Sequence, residues 1–167
     1  MASPTKVLVT GVYGLIGNLV YKHLSQWPER YELYGLGRRR ELSERVFDER
    51  RIDLPEDRFF ICDIADMEGV AAAVEGMDAV VHMAADPSGP EWDSLLRNNI
   101  IGAYNVFEAS LQAGVGRVIA KQVSCDNRAI DHDAREIGTG RLDPGDQLDL
   151  ACHCLDNGDD AQGVGMS

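Results

Sequence analysis

The chain has 167 residues, with 28 acidic and 16 basic side chains and a formal net charge of −12 at pH 7. Its hydrophobic fraction of 44% is sufficient for a packed core and excludes disorder of the whole chain. A strongly acidic surface repels phosphate groups, so neither nucleic acid nor a membrane surface is expected as a partner. Because no apolar run reaches the roughly 20 residues of a membrane span and no signal-peptide pattern is visible, a cytoplasmic location is expected.

Composition changes sharply near residue 123. Residues 124–167 hold ten acidic and three basic side chains, six glycines, and no Phe, Trp or Tyr. Such a segment buries too little apolar area to offset the backbone entropy lost on folding. We therefore expect one folded domain over residues 1–123 and a poorly ordered acidic tail over residues 124–167.

Five short apolar runs are spaced along the first part of the chain. Each is short enough for a buried strand of a parallel sheet. The runs lie at Lys6–Thr10, Tyr31–Leu36, Phe59–Cys62, Ala79–Met83 and Arg117–Ala120. Because helix-like stretches separate them, the pattern predicts an α/β fold with a doubly wound parallel sheet.

Three of the intervening stretches keep the helical spacing of apolar residues. The first runs from Leu15 to Leu24, and the second follows Asp66, a candidate N-cap. The third is predicted from Trp92 to Ala113, with Gly114 as its C-cap. Its apolar residues are Leu95, Leu96, Ile100, Tyr104, Phe107 and Leu111. Since no later strand–helix unit is predicted, part of this helix and of the sheet should lack cover, which favours self-association.

The most informative motif runs from Thr10 to Gly17, directly after the first strand and into the first helix. In this pattern Gly11 permits a tight turn, Gly14 lets backbone amides approach a pyrophosphate, and Gly17 allows close helix–strand packing. The helix N-terminus then favours negative charge. The motif predicts a dinucleotide site, the alternative being a strand–helix turn that merely needs flexible glycines.

This motif resembles that of the extended short-chain dehydrogenase/reductases, a family of NAD(P)-dependent sugar epimerases, dehydratases and dehydrogenases. Further segments resemble the family in the same order along the chain: Asp63-Ile64, His82–Ala85, Asn99–Ala109 and Ala113–Ile119. The resemblance covers about residues 5–120 and implies a Rossmann-like fold, incomplete relative to the family. The residues after Ala85, Asp86–Ser88 and Glu91-Trp92, look most like those of sugar or uronate dehydrogenases.

The resemblance also implies which residues hold the cofactor. The expected contacts are Gly11, Tyr13, Gly14, Leu15, Ile16, Arg38, Asp63, Ile64, Ala84, Ala85 and Asn99. Asp63 corresponds to the family's adenine-contacting acid, and the small residues Ala84 and Ala85 border the cofactor. A sugar-type substrate is implied by the resemblance alone.

The end of the second strand bears on the choice between NADP and NAD. An acid there binds the ribose 2′-hydroxyl of NAD, whereas an arginine accommodates the 2′-phosphate of NADP. Gly37 occupies the acid's place and Arg38 follows it. NADP is therefore favoured over NAD. Arg40 and the residues beyond it are interpreted as a solvated loop.

Catalysis is where the resemblance fails. The family uses a Tyr-x-x-x-Lys pair after the fifth strand, in which the lysine lowers the pKa of the tyrosine. The last tyrosine of this chain is Tyr104 and the only later lysine is Lys121, so no such pair exists and no catalytic residue is predicted. Ser124 lies near the place of the family's serine. A reading-frame change after about Ile119 is one explanation of this ending.

Three functions therefore remain open. The chain is an oxidoreductase or epimerase by descent that has lost its catalytic half, a non-catalytic dinucleotide-binding module, or a subunit that completes its sheet with a partner. No metal site is predicted, because Cys152-His153-Cys154 lacks the ligand spacing of structural zinc sites. His82 is expected to be a packed, hydrogen-bonded residue, and Cys62 a small core residue.

Overall fold

The computed structural model describes residues 3–46, 52–86 and 91–120. Residues 124–167, predicted to be a poorly ordered tail, lie outside this part of the chain, and so does the boundary predicted near residue 123. Residues 152–154, weighed above as metal ligands, also lie outside it.

Five strands form one parallel sheet in the order β3-β2-β1-β4-β5. Their bounds are β1 Thr5–Thr10, β2 Tyr31–Gly37, β3 Phe59–Ile61, β4 Ala79–His82 and β5 Arg117–Ala120. All five apolar runs therefore form strands, with ends that differ from the predicted ones by at most one residue. Since β2 and β4 flank β1, the chain crosses from one side of β1 to the other at this point. Such a switch point places a crevice at the carboxyl ends of the strands.

Within the described ranges, four α-helices, one 3₁₀ turn and one π-helical segment connect the strands. Their bounds are α1 Leu15–Leu24, α2 Met67–Val74, α3 Trp92–Leu95 and α4 Gly102–Gln112, with a 3₁₀ turn at Glu56–Arg58 and a π-helical segment at Leu96–Ile101. The Asp66 side chain caps α2 by accepting a hydrogen bond from the Glu68 N–H, as predicted. Gly114, with φ of +71°, follows the C-terminus of α4. The fold is a Rossmann-like doubly wound sheet.

The core lies on both faces of the sheet. On one face Leu8, Leu36 and Val80 are fully buried and pack with apolar side chains of α2 and α4. Val7 and Val9 alternate with Leu8 and are buried on the opposite face. Helix α1 lies against β1 and β2. Both faces of the central strands are therefore covered.

The third predicted helix differs from expectation in its continuity, and several of its large apolar residues are exposed. The π-helical segment interrupts it, and the wider turn rotates the residues that follow. Val106 and Ala109 of α4 are buried, whereas Tyr104, Phe107 and Leu111 are 60%, 46% and 76% exposed. Small residues allow α4 to approach closely: a Cβ on Gly102 would lie 2.5 Å from the Ile64 side chain.

Among the described residues, no helix is both long enough and apolar enough to cross a membrane.

Candidate functional site

The turn between β1 and α1 is built on three glycines. Gly11 has φ of +66°, and its N–H donates to the Leu36 carbonyl at 2.8 Å. The Gly14 N–H in turn donates to the Gly11 carbonyl at 2.8 Å. A Cβ on Gly17 would lie 2.2 Å from that same carbonyl oxygen, so only glycine permits this approach of turn and helix. The turn thus holds the start of α1 directly above the carboxyl end of β1.

The N-terminus of α1 faces an open cavity. Gly14 is the N-cap residue, its position carries no capping side chain, and the first turn contains no acidic residue. The first N–H groups of a helix have no intrahelical partners, and the helix dipole adds positive potential there. This cavity, the larger of two described at the carboxyl edge of the sheet, has a volume of about 470 Å³. It is lined by Gly14, Leu15, Ile16, Gly17, Arg38, Ser43, Arg45, Met83, Ala85 and Asp86. This arrangement suits an anionic group.

Thr10 ties the end of β1 to the loop after β4. Its Oγ1 accepts hydrogen bonds from the N–H groups of Met83 and Ala84, both at 3.1 Å. It also lies 2.7 Å from Nδ1 of His82. A hydroxyl has two acceptor lone pairs and one proton, so with both lone pairs used, Thr10 donates to His82 Nδ1. The neutral imidazole therefore carries its proton on Nε2.

His82 is a packed residue, as predicted. It is 5% exposed, and burial lowers its pKa to about 4. Its ring meets the ring of Phe107 edge to face, with 6.2 Å between centroids. A group of this pKa is neutral at pH 7, and it already accepts the Thr10 proton. Its role is to fix the loop that carries Ala84 over the glycine turn, where Ala84 leaves no space for a Cβ on Gly11.

The loop after β4 is held a second time by Asn99. Its Oδ1 accepts the Asp86 N–H at 2.7 Å and its Nδ2 donates to the Asp86 carbonyl at 2.9 Å. Ser94 donates to the Asp86 carboxylate. Asn99 does not belong to the described residues that line the two cavities at the carboxyl edge. Its amide positions the loop, and a direct cofactor contact from it stays a prediction.

A smaller cavity of about 130 Å³ lies beside the ends of β2 and β3. It is lined by Gly11, Leu36, Gly37, Arg38, Cys62, Asp63, Ile64, Ala84, Ala85 and Asn98. Arg38 and Ala85 line both cavities, which therefore adjoin. Nine of the predicted contacts line one or both of them; Tyr13 and Asn99 are the exceptions. Cys62 is half-buried, packs against the core as predicted, and has a pKa raised by burial and by the charges of Asp66 and Asp63.

Asp63 is the acidic residue among those that line the smaller cavity. Its Oδ1 accepts the Ala65 N–H at 3.0 Å, and its Oδ2 accepts a hydrogen bond from Arg97 Nη2 at 3.1 Å. Burial raises the pKa of this carboxyl, but the hydrogen bonds and the positive charges of Arg97 and Arg38 outweigh it, so the pKa is lower than usual. Asp63 is therefore ionised at neutral pH.

The three successive arginines after β2 have different surroundings. Arg38 faces the cavities, and Arg39 forms an exposed pair with Glu41 at 3.7 Å. Arg40 donates to the Leu54 carbonyl and pairs with Glu56 at 3.4 Å. Arg40 is exposed, as expected of a solvated loop, and its guanidinium also ties this loop to the segment that precedes β3.

Tyr13 lies apart from the other predicted contacts. Its ring packs edge to face on Phe59 with 5.1 Å between centroids, and its hydroxyl accepts from Arg40 Nε at 3.3 Å. It lines a third cavity of about 280 Å³, together with Arg40 and Asp53. A cofactor contact from the Tyr13 side chain stays a prediction.

Sequence reasoning missed several lining residues. Ser43 and Arg45 reach the larger cavity from the loop after β2, Asn98 lines the smaller one, and Arg97 holds Asp63. Ser43 is placed by a hydrogen bond from its N–H to the Tyr13 carbonyl at 2.9 Å. These contacts join residues far apart in the chain, and no local motif indicates them.

Comparison with known proteins identifies the family. The model of the NAD dependent epimerase/dehydratase family matches residues 7–126. The chain belongs to this family. NAD-dependent glucose-6-phosphate dehydrogenase of Haloferax volcanii is 36% identical over 111 residues, which are 65% of this chain and 39% of that protein. Uronate dehydrogenase of Pseudomonas putida is 27% identical over 114 residues, or 68% and 39% of the two chains.

Solved structures agree with this assignment. A variant of Agrobacterium tumefaciens uronate dehydrogenase in complex with NAD has a TM-score of 0.56 and 28% identity, over 71% of this chain and 40% of that one. A Thermus thermophilus UDP-glucose 4-epimerase in complex with NAD has a TM-score of 0.55 and 28% identity, over 68% and 36%. This epimerase/dehydratase family member thus spans about two fifths of the length of these relatives.

Proposed function

We propose that this family member binds a nicotinamide dinucleotide along the carboxyl edge of its sheet. The observation that carries the proposal is the pair of adjoining cavities between the α1 N-terminus and Asp63, bridged by Arg38 and Ala85. The helix N-terminus lies at one cavity and Asp63 at the other, so an extended ligand with an anionic group could occupy both. Family membership and the NAD complexes of similar structures support the same ligand class.

The residues present suit such a ligand chemically. The free N–H groups at the start of α1 would hold the pyrophosphate, because they donate hydrogen bonds at the positive end of a helix dipole. The apolar side chain of Ile64 and the carboxylate of Asp63 would receive the adenine end. Ala84 and Ala85 would border the cofactor on the β4 side, where a larger side chain would narrow the crevice. Thr10 and His82 act indirectly, by keeping that loop in position.

The preference between cofactors is proposed from Arg38. It faces both cavities, forms no hydrogen bond or ion pair with the described residues, and is followed by no acid until Glu41. A guanidinium binds a phosphate bidentately. We therefore propose that NADP binds more tightly than NAD. Among similar proteins, an L-arabinose 1-dehydrogenase of Haloferax volcanii is named for both cofactors.

The substrate class is proposed from the relatives, whose names refer to glucose 6-phosphate, uronates and nucleotide sugars. When bound, a nicotinamide supplies hydride transfer to or from such a sugar. This chemistry also needs a group that moves the hydroxyl proton, and the Tyr-x-x-x-Lys pair that would do so is missing from the 167 residues. We therefore propose that this chain binds the cofactor without measurable turnover of sugars.

A non-catalytic dinucleotide-binding module is the second candidate. The same absence of the Tyr-x-x-x-Lys pair favours it over an active enzyme. A chain descended from a sugar dehydrogenase or epimerase would be active in a longer form that contains the Tyr-x-x-x-Lys pair, whereas a binding module would be inactive at any length. Both candidates use the same cofactor site. Cofactor binding is therefore the first property to measure.

Calorimetric titration of the full chain with NADP⁺ and with NAD⁺ tests the proposal. We expect both to bind, NADP⁺ more tightly. Gly14→Val should abolish both, because a branched side chain would occupy the place of the pyrophosphate. Gly116→Ala, remote from the cavities, is the control and should bind as the wild type does. Absence of binding to the folded wild type, or unchanged binding by Gly14→Val, would contradict the proposal.

A further inference from the structure

We infer that Arg97 is a positioning residue for cofactor choice: by holding Asp63, it leaves Arg38 available to a ligand's 2′-phosphate. The inference rests on the proposed dinucleotide site and adds to it a residue that no motif indicates. The discrimination between NADP and NAD then depends on two residues, Asp63 and Arg97, neither of which needs to contact the 2′-phosphate.

The argument starts from the shared cavity. Asp63 and Arg38 both line the smaller cavity, and they are close enough for the positive charge of Arg38 to lower the pKa of Asp63. Within the described part of the chain, however, no ion pair joins them. The Asp63 oxygens are taken by the Ala65 N–H and by Arg97 instead. The acid in the cavity is thus satisfied without Arg38.

Arg97 is well placed for this task. It lies in the π-helical segment Leu96–Ile101, directly before two asparagines that anchor the segment. Asn98 donates to the carbonyl and hydroxyl of Ser94 at 2.9 and 3.1 Å, and Asn99 binds the backbone of Asp86. The segment that carries Arg97 is therefore fixed relative to the loop after β4, and its guanidinium reaches Asp63 at 3.1 Å.

Removing Arg97 would act on a 2′-phosphate in two ways. The negative charge of Asp63 would be less compensated, which repels an added phosphate dianion in the same crevice. The uncompensated carboxylate would also attract Arg38 and compete with the phosphate for its guanidinium. A ribose 2′-hydroxyl carries no charge, so the binding of NAD should change much less.

Stability should not obscure the effect. The Arg97 side chain is 62% exposed, and an exposed ion pair contributes little to the free energy of folding. We expect Arg97→Gln to unfold at nearly the same urea concentration as the wild type. Arg97→Lys keeps the charge and serves as the conservative variant.

The experiment is calorimetric titration of NADP⁺ and NAD⁺ into the full-length wild type and variants. Arg97→Gln should lower the ratio of NADP⁺ to NAD⁺ affinity about five- to tenfold, with the NAD⁺ affinity within about twofold of wild type. Arg97→Lys should retain most of the ratio. Asp63→Asn combined with Arg97→Gln should restore it, because the competing carboxylate is gone. The double variant Arg38→Gln/Arg97→Gln should have a ratio of NADP⁺ to NAD⁺ affinity only slightly lower than that of Arg97→Gln alone.

The outcomes separate this inference from the proposed function. An unchanged ratio in Arg97→Gln, an equal loss of both affinities, or a loss that persists with Asp63→Asn would overturn the role of Arg97 while leaving the dinucleotide site intact. A folded wild type that binds neither dinucleotide would overturn the proposed function and this inference together. A wild type that prefers NAD⁺ would overturn the 2′-phosphate role of Arg38, and with it the inference.

Discussion

The Thr10 hydroxyl lies 2.7 Å from His82 Nδ1, and this contact joins the carboxyl ends of the two strands that flank the switch point. The same oxygen accepts the N–H groups of Met83 and Ala84. One buried hydroxyl therefore satisfies three groups and sets the height of the β4 loop over the glycine turn.

Thr10→Val should destabilise the fold by about 2–4 kcal/mol, because it keeps the shape of the side chain but removes the hydrogen-bond partner of His82 Nδ1 and of the Ala84 N–H. The Met83 N–H keeps the Thr10 carbonyl as an acceptor at 3.3 Å. Thr10→Ser keeps the hydroxyl and should cost less. Urea unfolding of the two variants and the wild type measures the difference. Equal stability of the Val and Ser variants would show that the hydroxyl contributes nothing.

His82 should make stability depend on pH. Its pKa is lowered by burial from 6.5 to about 4 in the folded state, so the unfolded state binds the proton more readily between these values. The contribution is fully present above pH 6.5 and is lost as the pH falls toward 4, by about 3 kcal/mol at most. Unfolding free energies of wild type and His82→Gln across pH 4–7 isolate it, since other groups cancel in the difference. A constant difference over that range would contradict the low pKa. Nitrogen chemical shifts of the ring test the Nε2–H tautomer.

The buried face of α4 should control stability more than its large apolar residues do. Val106 is fully buried and Leu111 is 76% exposed. Val106→Ala should cost about 2 kcal/mol through lost burial and a residual cavity, whereas Leu111→Ala should cost less than about 0.5 kcal/mol. Thermal or urea unfolding compares them. A larger loss of stability in Leu111→Ala than in Val106→Ala would contradict this assignment of the buried face.

Self-association remains a prediction, now with a defined surface. Ile100, Tyr104, Phe107 and Leu111 follow one another at helical spacing and are 46% exposed or more. Exposed apolar patches favour association. We expect wild-type sedimentation to depend on concentration and a Tyr104→Ser/Leu111→Ser variant to depend on it less. Identical behaviour of the two proteins would remove this surface from consideration.

The strands were predictable because each is a local apolar run that ends at a turn, and the glycine turn because Gly11, Gly14 and Gly17 lie within seven residues of one another. Spacing alone does not show which apolar residues of α4 are buried, because the π-helical segment changes the rotation of the residues after it. The tie between Arg40 and Leu54 was missed for another reason. It depends on how a loop folds back, and charge counting along the sequence treats that loop as solvated.

In the candidate site, too, local motifs were predictable from the sequence and contacts between distant residues were not. Residues within motifs, such as Leu15 and Ala85, reach the cavities where the motif suggests. The Asp63–Arg97 pair spans 34 positions and arises only when the π-helical segment is placed beside the end of β3. Asn99 belongs to a family-like segment, yet its amide holds Asp86. Motif position alone does not distinguish a contact from a support.

Hydrogen–deuterium exchange with and without NADP⁺ tests most directly whether the ligand lies along the carboxyl edge. Peptides covering residues 11–17, 63–64 and 84–85 should be protected by the ligand, because they contain the residues proposed to hold the pyrophosphate, to receive the adenine end and to border the cofactor on the β4 side. The exposed side of α4 should exchange unchanged. Saturating NADP⁺ that leaves residues 11–17 unprotected, or protects only the third cavity around Arg40 and Asp53, would contradict the account.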